Sequence, residues 1–209
     1  MDRERLLSHI IDDERIVMAK VLDAAEQALE RSEPVWTDFL DPHMRELTQN
    51  IMRQEPSVRL LSFGGFRRAE RQRLVLVPSF YLTESIEPAL SFYRITPVKK
   101  GEFTHRDVLG SLMGLGLRRE KTGDILITSD EAQVIVAEEV STVIESQLKK
   151  VGNLDVAVEA IDPEALDVPP ERIKEIRATV SSLRLDAVAG LGYGVSRTRM
   201  AREIKSERL

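Results

Sequence analysis

The amino-acid sequence predicts an α+β chain of 209 residues: an N-terminal α/β region over 1–82, a compact plait over 83–161, a linker with a helix over 162–181, and a short helical end over 182–209. Three observations predict this. Apolar residues recur at helical spacing through most of the first 54 positions. Strand-like and helix-like stretches alternate as β-α-β-β-α-β between 89 and 160. An acidic, proline-punctuated stretch, from Ile161 to Pro170, then separates this alternation from a basic C-terminal end.

In the N-terminal region Leu6, Leu7, Ile10 and Ile11 open a helical pattern. Asp12-Asp13-Glu14 reads as a cap and acidic first turn, and Ile16, Val17, Val21, Leu22, Ala25 and Leu29 continue the stripe until Ser32-Glu33-Pro34 ends it. Trp36 to Leu40 is a short apolar stretch, and Asp41-Pro42 is an N-cap with proline in the first turn of a helix to about Arg53. Strands follow at 58–62 and 73–78. Their connector, 63–72, holds Gly64-Gly65, suited to φ > 0, and is expected to expose two aromatics and three arginines.

In the plait, strand 90–97 precedes a helix over 104–115, where Thr104 and Asp107 form a capping-box-like start and Gly114 and Gly116 the end. Strands 125–128 and 133–136, a helix over 138–150 ending at Gly152, and strand 154–160 complete a ferredoxin-like split βαβ unit. Beyond the linker, helices are expected over 171–179, 182–191 and 197–208, with a turn at Gly192-Tyr193-Gly194 and Ser196 capping the last.

Composition excludes several classes of function. With no cysteine there is no disulfide framework, cysteine zinc site, thiol nucleophile or iron–sulfur cluster. No uncharged apolar run reaches the ~18–20 residues of a membrane span, and the charged N-terminus does not lead into a secretory signal, so a cytoplasmic protein without a membrane partner is expected. His9, His43 and His105 stand apart, outside any metal spacing, and read as surface or capping residues; His105, beside Arg106 at a helix start, also suits an anion. Gly110, Gly114 and Gly116 make no dinucleotide fingerprint, because Gly114-x-Gly116 follows a helix rather than a strand; packing and capping explain them better. Neither a phosphate-cradling P-loop nor a nucleophile elbow occurs, and no cofactor is implied.

What remains is basic. The net charge is −5, yet residues 56–101 carry a formal +5 and 183–209 carry +3, against −6 over 1–55 and −7 over 102–182. Clustered arginine on an acidic body is an electrostatic footprint for phosphate backbones, the alternative being ordinary solvated faces. Three groups stand out. Arg67, Arg68, Arg71 and Arg73 sit within seven residues and either contact RNA or brace a domain junction. His105, Arg106, Arg118, Arg119 and Lys121 flank the 104–115 helix and form one patch only if the 118–121 loop folds back. In the last helix Arg197, Arg199, Arg202, Lys205 and Arg208 alternate with Met200, Ala201 and Ile204, behind a Ser196 helix start that favours phosphate.

Leu183-Arg184-Leu185-Asp186, a glycine turn and Ser196-Arg197-Thr198-Arg199-Met200-Ala201 resemble the start of the S-four RNA-binding domain. Three upstream segments bring the resemblance closer: Thr37 to Pro42; Phe63-Gly64-Gly65-Phe66 with Ala69-Glu70-Arg71; and Thr104 to Gly110, running on through Leu115-Gly116-Leu117-Arg118-Arg119-Glu120-Lys121-Thr122-Gly123-Asp124-Ile125. In this order they resemble the YlmH family of bacterial RNA-binding proteins. That resemblance implies an N-terminal α/β region, a plait-like RNA-binding domain and a C-terminal S-four domain, the last truncated here, so that Met200 and Ile204 should be poorly covered. Arg184 and Asp186 would organise the two C-terminal helices. The implied function is non-enzymatic: binding of structured RNA, either rRNA or tRNA, on the large ribosomal subunit, in rescue or quality control of stalled translation, without a small-molecule substrate. The alternatives are a protein-interaction scaffold linked to cell division or photosystem assembly, and a hydrolase using carboxylates in no recognisable motif. Only one of Phe92 and Tyr93 can face out of the plait sheet, so phosphate or shape recognition is expected over base stacking.

Overall fold

The computed structural model describes residues 1–8, 10–128, 130–169, 175–180 and 182–206, without the side chains of 12 and 13. The chain divides into two compact units, Met1–Pro169 and Pro170–Leu209.

The first unit opens with α1 (Arg3–Leu7) and α2 (Asp12–Arg31). Ile11, not an acid, occupies the α2 cap position, and the acids fall in the first turn. Met18, Val21, Leu22, Ala25 and Ala28 make its buried stripe, whereas Ile16 is 64% exposed: it lies two residues from Met18, about 200° around the helix. Trp36 to Leu40, predicted only as an apolar stretch, belongs to a strand, β1 (Val35–Leu40). Asp41 caps α3 (Pro42–Met52) by accepting from the Met44 N–H at 2.8 Å, with proline at the first helical position. Strands β2 (Val58–Phe63) and β3 (Gln72–Pro78) complete a three-stranded antiparallel sheet in the order β1-β3-β2. Leu74 and Leu76 of β3 join the α2 and α3 core, while Arg73, Val75 and Val77 alternate to the other face.

The plait consists of β4 (Leu90–Pro97), α4 (His105–Gly114), β5 (Thr122–Ile127), β6 (Ala132–Ala137), α5 (Ser141–Gln147), a two-residue β7 (Lys150–Val151) and β8 (Leu154–Ala160). Its antiparallel order, β5-β6-β4-β8-β7, is the ferredoxin-like arrangement with a short hairpin added at one edge. Thr104 and Asp107 form the predicted reciprocal capping box. The second helix is shorter than expected because Leu148 is already extended, and Gly152 turns the β7–β8 hairpin instead of ending a helix. Nothing lies within 4 Å of a Cβ built on Gly110 or Gly114, so close packing does not explain those two glycines; Gly116 takes φ +81° just past the helix.

One face of the plait sheet packs on its helices through Tyr93, Ile95, Val134, Val136, Val108, Leu112 and Ile144. The other face is covered too. Phe92, Ile135 and Ala137 share a core with Phe39 of β1, and Phe66, Ile161 and Leu166 close around them. The 161–167 stretch, expected to be linker, is docked: buried Gln133 donates to the Ala165 carbonyl at 3.2 Å and accepts from the Asp167 N–H at 2.7 Å. Phe92 is 8% exposed and Tyr93 1%, so neither ring offers a stacking platform.

In the second unit, α6 (Leu185–Gly192) and α7 (Arg197–Lys205) pack as a helical pair, with α6 starting three residues later than predicted. Met200 is 2% exposed, contrary to the expectation that it is poorly covered, and Ile204 is half-buried. Close approach is possible because a Cβ on Gly190 would already lie 3.1 Å from the Val195 carbonyl oxygen. Leu185, Val188 and Leu191, three apart along α6, remain exposed. Of the predicted 171–179 helix, 171–174 lie outside the described residues and 175–179 are irregular; Arg208 and His9 also lie outside them.

Gly65 has φ +89°, and a Cβ there would lie 2.6 Å from the Phe92 ring. Gly65→Ala is expected to lower the unfolding free energy by about 2 kcal/mol, measured by urea denaturation, because it meets both a left-handed backbone and a filled interface.

Candidate nucleic-acid interface

The two basic groups of the first unit converge on the junction between the two sheets. A break in the β1–β3 ladder, between Trp36 and Phe39, sets up this junction. The Thr37 hydroxyl mends the break by accepting from the Leu74 N–H at 2.9 Å, and the Thr37 carbonyl accepts instead from Arg73 Nε at 2.7 Å. Arg73 is 4% exposed. Its Nη1 donates to the Ala89 carbonyl and to Glu139, each at 2.9 Å, and its Nη2 donates to the other Glu139 oxygen at 3.2 Å. The Trp36 ring lies 5.7 Å from its guanidinium carbon.

Arg71 donates to the carbonyls of Thr122 (3.1 Å) and Phe39 (3.0 Å). Arg119, in a single 3-10 turn, donates to the carbonyls of Thr122 (2.6 Å) and Gly123. Burial first, and then the neighbouring Arg71 charge, lower its pKa from the ordinary arginine value. Lys121 lies between Asp38 (2.5 Å) and Glu139 (2.6 Å). Burial works against its ammonium form, but the two carboxylates outweigh it and hold the pKa above the usual lysine value. Arg118, 58% exposed, adds a 3.6 Å contact to Asp38.

Arg73 is therefore no part of an exposed basic face, and Arg71, Arg119 and Lys121 are committed mainly to the protein's own carbonyls and carboxylates. The brace alternative fits Arg71 and Arg73. Arg67 and Arg68 do lie exposed on the connector; Arg68 reaches the Pro169 carbonyl at 3.4 Å. The 118–121 loop folds back far enough for Arg119 and His105 to line one shallow cavity of about 440 Å3, with Arg71, Asp41, Glu70 and Asp124. Arg106 is exposed but does not line it, and Arg118 and Lys121 turn to Asp38, so the five residues do not form a single patch.

Sequence reasoning missed the acids that organise this region. Asp38 and Glu139 hold Lys121 and Arg73, and Asp124 accepts the backbone N–H groups of Glu70 (2.6 Å) and Arg71 (2.9 Å), fixing the connector. A carboxylate inside the apolar run Trp36 to Leu40 was the available signal for Asp38.

In the second unit the basic residues divide by role. Asp186, 8% exposed, accepts from Arg197 Nε at 2.7 Å and Arg184 Nε at 3.0 Å. These hydrogen bonds, that of Arg197 first, hold its pKa down at about 2. Arg184 and Arg197 thus clasp the start of α6 to the start of α7. The Ser196 hydroxyl accepts from the Arg199 N–H at 3.3 Å and is the α7 cap. Arg199, Arg202 and Lys205 project exposed from the same helix, Arg199 with a loose 3.8 Å contact to Glu203.

Two family models match the chain: one described as "YlmH, N-terminal" over residues 13–81, and one as "Putative RNA-binding domain in YlmH" over 89–165. A Bacillus subtilis (strain 168) protein, "Ribosome-associated protein quality control protein P2", is 34% identical over 202 residues, which span 96% of this chain and 78% of that protein. The chain belongs to the YlmH family. A solved structure described as "Cell division protein ylmH from Streptococcus pneumoniae" has the same fold, with a TM-score of 0.65 at 23% identity, covering 76% of this chain and 98% of that one. The upstream segments that carry the YlmH resemblance, 37–42, 63–71 and 104–125, supply Thr37, Asp38, Phe39, Arg71, Arg119, Lys121 and Asp124 of the junction just described, though not Arg73 or Glu139.

Three outcomes follow from these geometries. Glu139→Ala removes one partner of a buried guanidinium that keeps two carbonyl acceptors, and Glu139 is itself 43% exposed; a loss of about 1–3 kcal/mol in urea unfolding is expected. Arg67→Ala with Arg68→Ala should leave the melting temperature nearly unchanged. For Asp186 the folded pKa lies below the unfolded value, so its stabilisation is present above about pH 4 and is lost as pH falls through about 2. Acid titration followed by NMR of the Gly190, Met200 and Ala201 amides should show the helical pair loosening in that window, and Asp186→Asn should abolish the step.

Proposed function

We propose that this chain is a non-enzymatic, cytoplasmic RNA-binding protein that acts on the ribosome, on rRNA or tRNA of the large subunit, in rescue or quality control of stalled translation. The observation that carries this reading is the exposed row Arg199, Arg202 and Lys205 on α7, held on a helical pair whose own arginines, Arg184 and Arg197, are engaged by Asp186. A row presented by a fixed helix suits a structured phosphate backbone. Family membership, the RNA-binding description of the 89–165 family model and the name of the B. subtilis relative support the same reading. Among the described residues no helix is long and apolar enough to cross a membrane, and no group of three acidic or histidine side chains is placed to hold a metal ion.

In this proposal Arg199, Arg202 and Lys205 bind phosphates, with Ser196 and Arg197 at the helix start. Arg67, Arg68, His105, Arg106 and Arg118 are exposed candidates for a weaker contribution from the first unit.

Each phosphate neutralised contributes about 0.7–0.9 to the slope of log K against log salt, so three contacts contribute about 2–3. Binding of the full chain to a 23S rRNA fragment library should therefore weaken steeply with salt, and the triple change Arg199→Ala, Arg202→Ala and Lys205→Ala should flatten the slope by about that amount with an unchanged circular dichroism spectrum. An unchanged slope would remove α7 from the interface. Salt-independent association with no RNA preference would favour the scaffold reading instead.

A further inference from the structure

A cavity of about 990 Å3 opens where the 63–66 turn, the start of β4, α5 and the 160–163 stretch meet. That volume is at the upper end of the ~300–1,000 Å3 typical of ligand sites. Its apolar wall is aromatic. Phe63 and Phe66 line it half-buried, and Phe92 forms the floor against which Gly65 is pressed. The Phe63-Gly64-Gly65-Phe66 motif, to which the RNA reading assigns no role, thus makes one side of a cavity.

The charged lining is of one sign. Glu87, Glu138, Glu145 and Asp162 line the cavity, and no lysine, arginine or histidine does, although Arg67 and Arg68 follow Phe66 directly in sequence. Asp38, Glu131, Glu139 and Glu159 of the same unit are all paired with arginine or lysine. Glu87, Glu138 and Asp162 are exposed and, among the described residues, their carboxylates have no hydrogen-bond or ion-pair partner; Glu145 accepts only from the Tyr93 hydroxyl, at 2.7 Å. Ser91 and Ser141, hydrogen-bonded to each other at 2.7 Å, add hydroxyls to the lining.

Four carboxylates around an aromatic wall repel phosphate and attract a cation. Rings beside carboxylates suit guanidinium in particular, which stacks on an aromatic face while its planar fork donates to carboxylate oxygens. We infer that this cavity binds an arginine-bearing, extended basic peptide segment of a partner protein. The space is far larger than one guanidinium needs, and the serine hydroxyls can hydrogen-bond the flanking peptide backbone. The site uses none of the residues assigned to phosphate binding, so it stands or falls separately from the RNA reading.

The test titrates acetyl-Arg-Gly-Arg-Gly-Arg-amide into the full 15N-labelled chain, with spermine and an eight-nucleotide oligouridine as parallel probes. The peptide should shift the amides of 62–66, 138–145 and 160–162. The combined change Glu138→Gln, Glu145→Gln and Asp162→Asn should weaken its binding at least tenfold in an otherwise native spectrum. Should that variant lose the native spectrum, Glu87→Gln, at an exposed unpaired carboxylate, takes its place with at least a threefold weakening expected. The proposal is overturned if these amides do not move at millimolar peptide, if the substitutions leave the affinity unchanged, or if spermine or oligouridine moves the same amides at equal or lower concentration.

Discussion

The buried guanidinium of Arg73 is the constraint on which the first unit depends. Taking such a charge out of water costs several kcal/mol unless its donors are satisfied. Here four hydrogen bonds reach acceptors from three separate parts of the chain: Thr37 in β1, Ala89 at the entry to the plait, and Glu139 after β6. The Ala89 and Glu139 acceptors come into place only when the N-terminal sheet and the plait are both formed and docked. The ladder break at Thr37 belongs to the same constraint, because a regular β1 would have spent that carbonyl on β3. Phe39 then fits between the sheets, and its ring comes so close to Gly123 that a Cβ there would be 2.6 Å away.

This docking decides what the plait can recognise. A sheet that reads single-stranded RNA keeps its helix-free face open to stack bases. Here that face is a core, filled by Phe39, Phe92 and Ile135 and sealed by the 161–167 stretch on Gln133. Arg71 and Arg73 are spent on the same joint, and Arg94, on the Phe92 face, is paired with Glu131 and Glu159. A cluster of like charges in sequence therefore measures how many counter-charges the fold must bring to it, and becomes a nucleic-acid surface only where the fold brings none. By that criterion the 71–73 pair does not qualify, whereas on α7 Arg202 and Lys205 stay exposed and Arg199 has only a loose 3.8 Å contact to Glu203.

The sequence made the elements more legible than their partnerships. The β-α-β-β-α-β order, the Thr104–Asp107 box and the Asp41-Pro42 start are local signals, written in residues within a turn of each other, and the structure has them. The strand at 35–40 was not legible because the ladder break spoils strict alternation and Phe39 is covered by the plait, remote in sequence. The linker at 161–167 looked solvated because its proline and acidic residues hide two backbone groups that satisfy a buried glutamine 32 and 34 residues away. At the candidate site, the role of Arg184 and Asp186 in joining two helices followed from the resemblance. The division between structural Arg197 and Arg202, which has no ion pair among the described residues, did not, since both are exposed-looking arginines on one helix and only the third dimension places Asp186 against the first.

The charge divides along the same line as the structure. Residues 1–169 carry 21 basic and 30 acidic side chains, and 170–209 carry 9 and 5, so the two units have formal charges of −9 and +4. A −9 body repels a polyanion, but at physiological salt that repulsion is screened beyond about 8 Å, so the charges next to a contact weigh most. On the proposed RNA reading, weak, sequence-blind adhesion is therefore penalised, while a rigid partner that fits the α7 row would still gain its contacts. Selectivity on this view comes as much from the acidic unit as from the basic one: the first unit sets what is excluded, and the short helical pair sets what is held.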